Sequence, residues 1–178
     1  MSRLPMLTRD DIAAEDHDVF GAGMNLHRQT LHSPQLARHS RRLGLYFRRE
    51  SRLPGRICEL AILRVARLAR SAYEYSHHLK IALEVGASEA DLLRLARGEP
   101  FDDDPLAEAA LAAATAIFHG GAGEDTVERL KALLAPDQVV DLLFVASFYA
   151  GFVRFTASLA LEVEPEFAPF LERFPLPT

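Results

Sequence analysis

Between Arg70 and Lys80 the chain reads "RSAYEYSHHLK", which gathers a serine, two tyrosines, a glutamate and two adjacent histidines. Glu74 and His78 stand four residues apart, so a helix brings them side by side. A carboxylate next to an imidazole favours the charged ring and fixes its orientation. Among apolar neighbours, such a pair is the usual make-up of a general acid/base site. The same spacing also describes an ordinary surface pair. Ser71 serves equally as an N-cap. Tyr73 lies near the wet side but close enough to the helix start to line a cleft. His77 falls on the solvent side with Lys80 and Glu84.

A second carboxylate lies upstream, in "CELAILRVARLA". At about 100° per residue, Cys58, Ile62, Val65, Ala66 and Ala69 form an apolar stripe, and Glu59 sits on its flank. The pattern predicts a half-buried Glu59, and a buried charge needs a partner. Two partners are open: Arg56, three residues back, or a histidine on the next helix. Glu59, Glu74 and His78 also make a minimal three-ligand metal set. No other helix offers a matching group, and the expectation is a site with no metal and no cofactor.

These residues need helices to position them, and the chain supplies helix signals throughout. Ala and Leu are abundant and alternating β-branched runs are nearly absent, which predicts an all-α fold. Thr8 and Asp11 read as a capping box, and so do Ser88 and Asp91. Ser33-Pro34, Asp104-Pro105 and Pro136-Asp137 open further helices, and Gly86 closes the one that carries His78. A helix is also expected from Thr126 to Leu134. The Pro-punctuated tail "EPEFAPFLERFPLPT" is expected to pack its phenylalanines onto the surface of a neighbour. One domain spans residues 1–178, with N-terminal helices in 1–53, core helices in 54–86 and C-terminal helices in 104–164.

Composition narrows the function classes. The 178 residues are 49% apolar and carry a net charge of −5, which argues against a nucleic-acid partner. Arg38, Arg41, Arg42, Arg48, Arg49, Arg52 and Arg56 form a local basic segment, read as a solvated or inter-subunit ion-paired face. The single cysteine, Cys58, rules out a disulfide framework or a Cys-x-x-Cys pair. The charged first residues hold no apolar signal core, and a cytoplasmic protein is expected. The apolar run from Val139 to Phe155 is broken by Asp141 and Arg154. The stretch between them is about half of the ~20 residues a membrane span needs, so it reads as a core or interface helix.

The segment "CELAILRVARLARSAYEYSHHLKIALEVGAS", preceded by "LPGR" and followed late in the chain by "FYAGFVRF…ALEVEPE", resembles the carboxymuconolactone decarboxylase family, which includes the alkylhydroperoxidase D-like proteins. The resemblance runs from about Ser33 to Glu166. It implies an all-α, oligomeric helical bundle (dimer, trimer or hexamer) whose subunits cover the long apolar helix. It also implies Glu59 as the inner carboxylate and His78 as the site histidine.

The peroxidase branch of that family carries a Cys-x-x-Cys pair where this chain has Ser71 and Glu74. A hydroxyl and a carboxylate cannot replace a thiolate nucleophile and electron carrier. Thiol peroxidase activity is therefore disfavoured, and the decarboxylase branch is the nearer analogy. That branch implies a cofactor-independent lyase acting on a small acidic organic substrate. His78 would be the general acid, oriented by Glu59 or Glu74. Tyr73 or Ser71 would donate to an enolate oxygen, and an arginine of the 38–56 segment would bind the substrate carboxylate. The alternative is a catalytically silent oligomer that binds a ligand or a protein. Such a member would tie Glu59 and His78 in local ion pairs and leave no room for a ligand.

Overall fold

The computed structural model describes residues 2–21 and 23–177, and no strand occurs among them. Two short 3-10 turns, Arg9–Asp11 and Ala14–Val19, precede nine α-helices: α1 Asn25–Thr30, α2 Pro34–Arg49, α3 Gly55–Leu68, α4 Ala72–Glu84, α5 Glu89–Arg97, α6 Pro105–Phe118, α7 Glu124–Lys131, α8 Pro136–Leu159 and α9 Ala168–Arg173.

The helix ends follow local chemistry. Ser71 Oγ accepts from the Glu74 amide, and Asp104 from the Ala107 amide. Ser88 and Asp91 cap each other reciprocally. Pro34, Pro105 and Pro136 occupy first-turn positions, where a missing N–H costs nothing. Gly86, at φ 97°, turns the chain out of α4 in a left-handed conformation that suits glycine. Gly55 lets the start of α3 approach the end of α4 closely. A Cβ there would lie 3.1 Å from Val85 Cβ.

The core forms around α3, which packs against α4, α6 and α8. Because it is enclosed on three sides, its burial is wider than a single stripe. Every residue from Ile57 to Leu63 is buried, as are Val65 and Ala66. Each fully buried Leu, Ile or Val there contributes about 1.5–3 kcal/mol. Small residues on α6, Ala107, Ala109, Ala110, Ala113 and Ala114, let that helix lie close. Leu142, Val145, Ala146, Ala150 and Val153 turn α8 inward, while Val140 and Phe144 face out at 63% and 52% exposure. By length and composition α8 could cross a bilayer, and it is the one such helix among the described residues. Here its inner face is part of the core.

Two local expectations are corrected. The seventh helix starts at Glu124, because Gly123 is the N-cap and acidic residues favour a first turn. The tail packs on its own chain: Phe174 is fully buried in the core and α9 lies against α4. The basic segment is a largely solvated face, as expected: Arg41, Arg42, Arg48, Arg49 and Arg52 are exposed, and four of its seven arginines also pair within the chain. Arg38 pairs with Asp16 and Asp18, Arg42 with Glu50, Arg52 with Asp137, and Arg56 with Asp91 and Asp104.

Candidate active site

The α3–α4 crossing decides which partner Glu59 takes. Arg56 turns away to Asp91 and Asp104, at 2.8 and 2.7 Å. Glu59, only 4% exposed, instead points across to α4, where its Oε2 lies 2.6 Å from His78 Nδ1. It is buried rather than half-buried because α3 is covered on several sides. A carboxylate oxygen accepts, so Nδ1 carries the proton and Nε2 is left as the exchanging nitrogen.

Nε2 faces Glu74 Oε2 at 3.7 Å, too long for a hydrogen bond but in direct electrostatic contact. The other oxygen of Glu74, Oε1, is buried with no hydrogen-bond partner. Burial, with a smaller contribution from Glu164, raises the Glu74 carboxyl to about 7 against the opposing pull of His78. At neutral pH a substantial fraction of Glu74 therefore holds its proton.

Glu74 and His78 lie on the wall of a cavity of about 680 Å³, while Glu59 stands behind His78 and away from it. That volume suits a small organic ligand. Aromatic rings from α8 make part of the wall: Phe148, Tyr149 and Phe152. Tyr149 stands edge-on to the His78 ring, with centroids 4.8 Å apart. Arg41 and Arg48 supply positive charge to the same cavity. Arg41 donates to the Asp18 carbonyl, and Arg48 has no ion-pair or hydrogen-bond partner among the described residues.

The remaining candidates lie differently. Ser71 does not reach the cavity, because its hydroxyl is committed to the α4 N-terminus. Tyr73 lines the cavity, but its hydroxyl is already used. It donates to Glu164 Oε1 at 3.2 Å and accepts the Leu26 N–H at 2.9 Å. Burial raises its pKa further, so it remains a structural donor rather than a free one.

His77 corrects the expectation of a wet face. The C-terminal tail covers it: Phe167 stacks on its ring at 3.8 Å, and the residue is buried. Its Nδ1–H donates to the Tyr73 carbonyl at 2.8 Å, and its Nε2 lies 2.9 Å from Glu164 Oε2 without hydrogen-bond alignment. Burial lowers the His77 pKa. Glu164 also accepts the Asn25 amide at 2.6 Å, so it ties the N-terminal segment and the tail to α4.

Cys58 is buried in the core, outside the cavity wall, and burial pushes its thiol pKa up. Among the described residues no three metal-ligating side chains converge, so Glu59, Glu74 and His78 do not form a metal set. Tyr149 was not legible as a site residue, because it sits in an apolar run. Its one signal is register: it falls on the inward stripe of α8 with Leu142, Val145 and Val153.

The sequence profile of the carboxymuconolactone decarboxylase family matches residues 34–116. A search of curated proteins finds no match. A solved structure, the alkylhydroperoxidase AhpD core of an uncharacterized peroxidase-related protein from Ralstonia eutropha JMP134, superposes with a TM-score of 0.76 at 17% identity. The match covers 96% of this chain and 95% of that one, and so shows the fold. Residues 34–116, which hold Glu59, Glu74 and His78, are thus similar to the carboxymuconolactone decarboxylase family, and the chain has the helical fold of the AhpD core.

Proposed function

We propose that this chain is a small-molecule acid/base enzyme that decarboxylates, or moves a proton on, a small organic acid or lactone. One observation carries the reading: His78 is held between two buried carboxylates at the wall of a ligand-sized cavity. Glu59 fixes the ring and its tautomer. Nε2 then takes or gives the proton, and Glu74, protonated up to about pH 7, replenishes it. Positioned acid/base groups of this kind contribute about 10²–10⁴-fold in rate.

For a substrate with a carboxylate near an unsaturated carbonyl, the steps balance without a co-reactant. The C–C bond to the carboxylate breaks and its electron pair enters the carbonyl system as an enolate. CO₂ leaves, and the His78–Glu74 pair returns a proton to carbon. Arg41 and Arg48 supply the positive charge that holds a substrate carboxylate. Thiol peroxidase chemistry fits poorly, since the one cysteine is buried in the core with its thiolate disfavoured.

The test is a panel of small keto acids and lactones incubated with the protein in D₂O. NMR follows deuterium entry at carbon and loss of the carboxyl group. Turnover that disappears in His78→Gln, with the fold intact by circular dichroism, supports the reading. Turnover that survives in His78→Gln places the chemistry elsewhere. Robust reduction of an organic hydroperoxide by a dithiol would overturn it.

A further inference from the structure

We infer that Tyr149 is the hydrogen-bond donor for an oxyanion in this cavity, and that the ligand it serves is a flat enol or phenol with its oxygen turned toward α8. The inference rests on the acid/base reading and names the part of the ligand that the site stabilises.

The four tyrosines sort themselves by what their hydroxyls already do. Tyr46 donates to Asp141 at 3.0 Å. Tyr73 is spent on Glu164 and the Leu26 amide. Tyr75 is sealed in the core with its hydroxyl unpaired and does not reach the cavity. Tyr149 alone lines the cavity with a hydroxyl that has no hydrogen-bond partner among the described residues and is not sealed off by protein. Polar groups in protein interiors are almost always satisfied by protein, water or ligand. An unspent hydroxyl on a cavity wall thus points to a polar atom of the occupant.

Its ring is held while its hydroxyl is free. His78 meets it edge-on, and Phe148 and Phe152 flank it at 5.4 and 5.9 Å. This packing fixes the direction of the donor before a ligand arrives, which is what makes an oxyanion donor effective. Glu74 lines the same cavity with an unpartnered oxygen, so a second protonated donor is at hand. Burial and the nearby Glu74 and Glu59 carboxylates hold the Tyr149 hydroxyl protonated well above the usual tyrosine range. A tyrosine beside a neutral carboxylic acid is a recognised way to stabilise an enolate without a cation. The Phe148 and Phe152 rings favour a planar, conjugated ligand body.

The experiment compares two probes of similar shape, 4-nitrophenol and nitrobenzene, on the wild-type protein and on Tyr149→Phe. The absorbance of 4-nitrophenol reports its binding and ionisation, and calorimetry reports nitrobenzene. The substitution removes a hydroxyl with no protein partner, so thermal stability is expected to be unchanged. The expected result is that Tyr149→Phe weakens 4-nitrophenol by about ten- to a hundredfold and leaves nitrobenzene unaffected. Equal loss for both probes, equal retention of both, or no binding of 4-nitrophenol to wild type would overturn the assignment. The outcome is separable from the proton-transfer reading. If Tyr149→Phe discriminates the probes while no acid or lactone exchanges deuterium, the donor assignment stands and the acid/base reading fails. The reverse pattern removes the donor assignment alone.

Discussion

His78 donates its Nδ1–H to Glu59 Oε2 at 2.6 Å, across the α3–α4 crossing and a sequence separation of 19. Two helices thereby share one buried polar contact in an otherwise apolar interface. Glu59 does not reach the cavity wall. What it can set at the cavity is the orientation and tautomer of His78.

Replacing Glu59 with Gln keeps the size but lets the amide accept from or donate to the ring. The expected result is a mixed His78 tautomer, where the wild-type neutral ring carries its proton on Nδ1. Nitrogen-15 NMR of the histidine side chains reads this directly. The loss of a charge-assisted bond at a buried site is expected to cost about 1.5–3 kcal/mol in urea unfolding. An unchanged tautomer would show that Glu59 does not set the ring.

Glu74→Gln should raise stability, and more so at higher pH. In the unfolded chain Glu74 ionises near 4.5, whereas in the folded chain it keeps its proton to about 7. The folded state therefore binds more protons between those values, and wild-type stability falls as pH rises through that window. Glutamine cannot ionise and escapes the loss. The variant's advantage should grow from about pH 4.5 to 7 and level off above, at on the order of 3 kcal/mol. Thermal melts across that range, wild type against variant, measure it. A difference that stays flat with pH would place Glu74 in water.

Glu164 holds the Asn25 amide and the Tyr73 hydroxyl, and touches His77. Glu164→Ala leaves those donors without a buried acceptor, at an expected cost of about 3 kcal/mol. The effect should be local. Amide exchange at Asn25 and Leu26 should quicken markedly while amides in α3 keep their protection. Hydrogen-exchange NMR distinguishes that from general destabilisation.

Val140 and Phe144 leave an apolar stripe on the outer face of α8, which continues into the cavity wall at Phe148 and Phe152. A second copy covering this stripe would relieve its exposure. Light scattering on the wild-type chain is expected to give a multiple of 19.8 kDa, and Val140→Glu with Phe144→Glu should lower it. A wild-type monomer would refute the interface.

Short-range signals in the sequence set the starts of α2, α4, α5 and α6 and the end of α4. Pro34, Ser71, Ser88 and Asp104 act on their own first turns, and Gly86 acts on its own backbone angle. Such signals depend on neighbours within four residues, so they can be read in one dimension. Glu59, Glu74 and His78 were legible as candidates for the same reason: their types and spacing are local properties. Which of them meet was not. Glu59 had two possible partners, and only the α3–α4 crossing gave it His78 and sent Arg56 to Asp91 and Asp104.

The tertiary structure also reversed two assignments. His77 lies on the polar side of α4 by periodicity, but Phe167 from the tail covers it, so polarity of type did not predict exposure. Tyr73 was an eligible donor until Glu164, 91 residues away, took its hydroxyl, and Tyr149 was hidden in an apolar run until α8 set it beside His78. Helix propensity is a short-range free energy. The satisfaction of buried polar groups is a long-range one, decided only when distant segments pack.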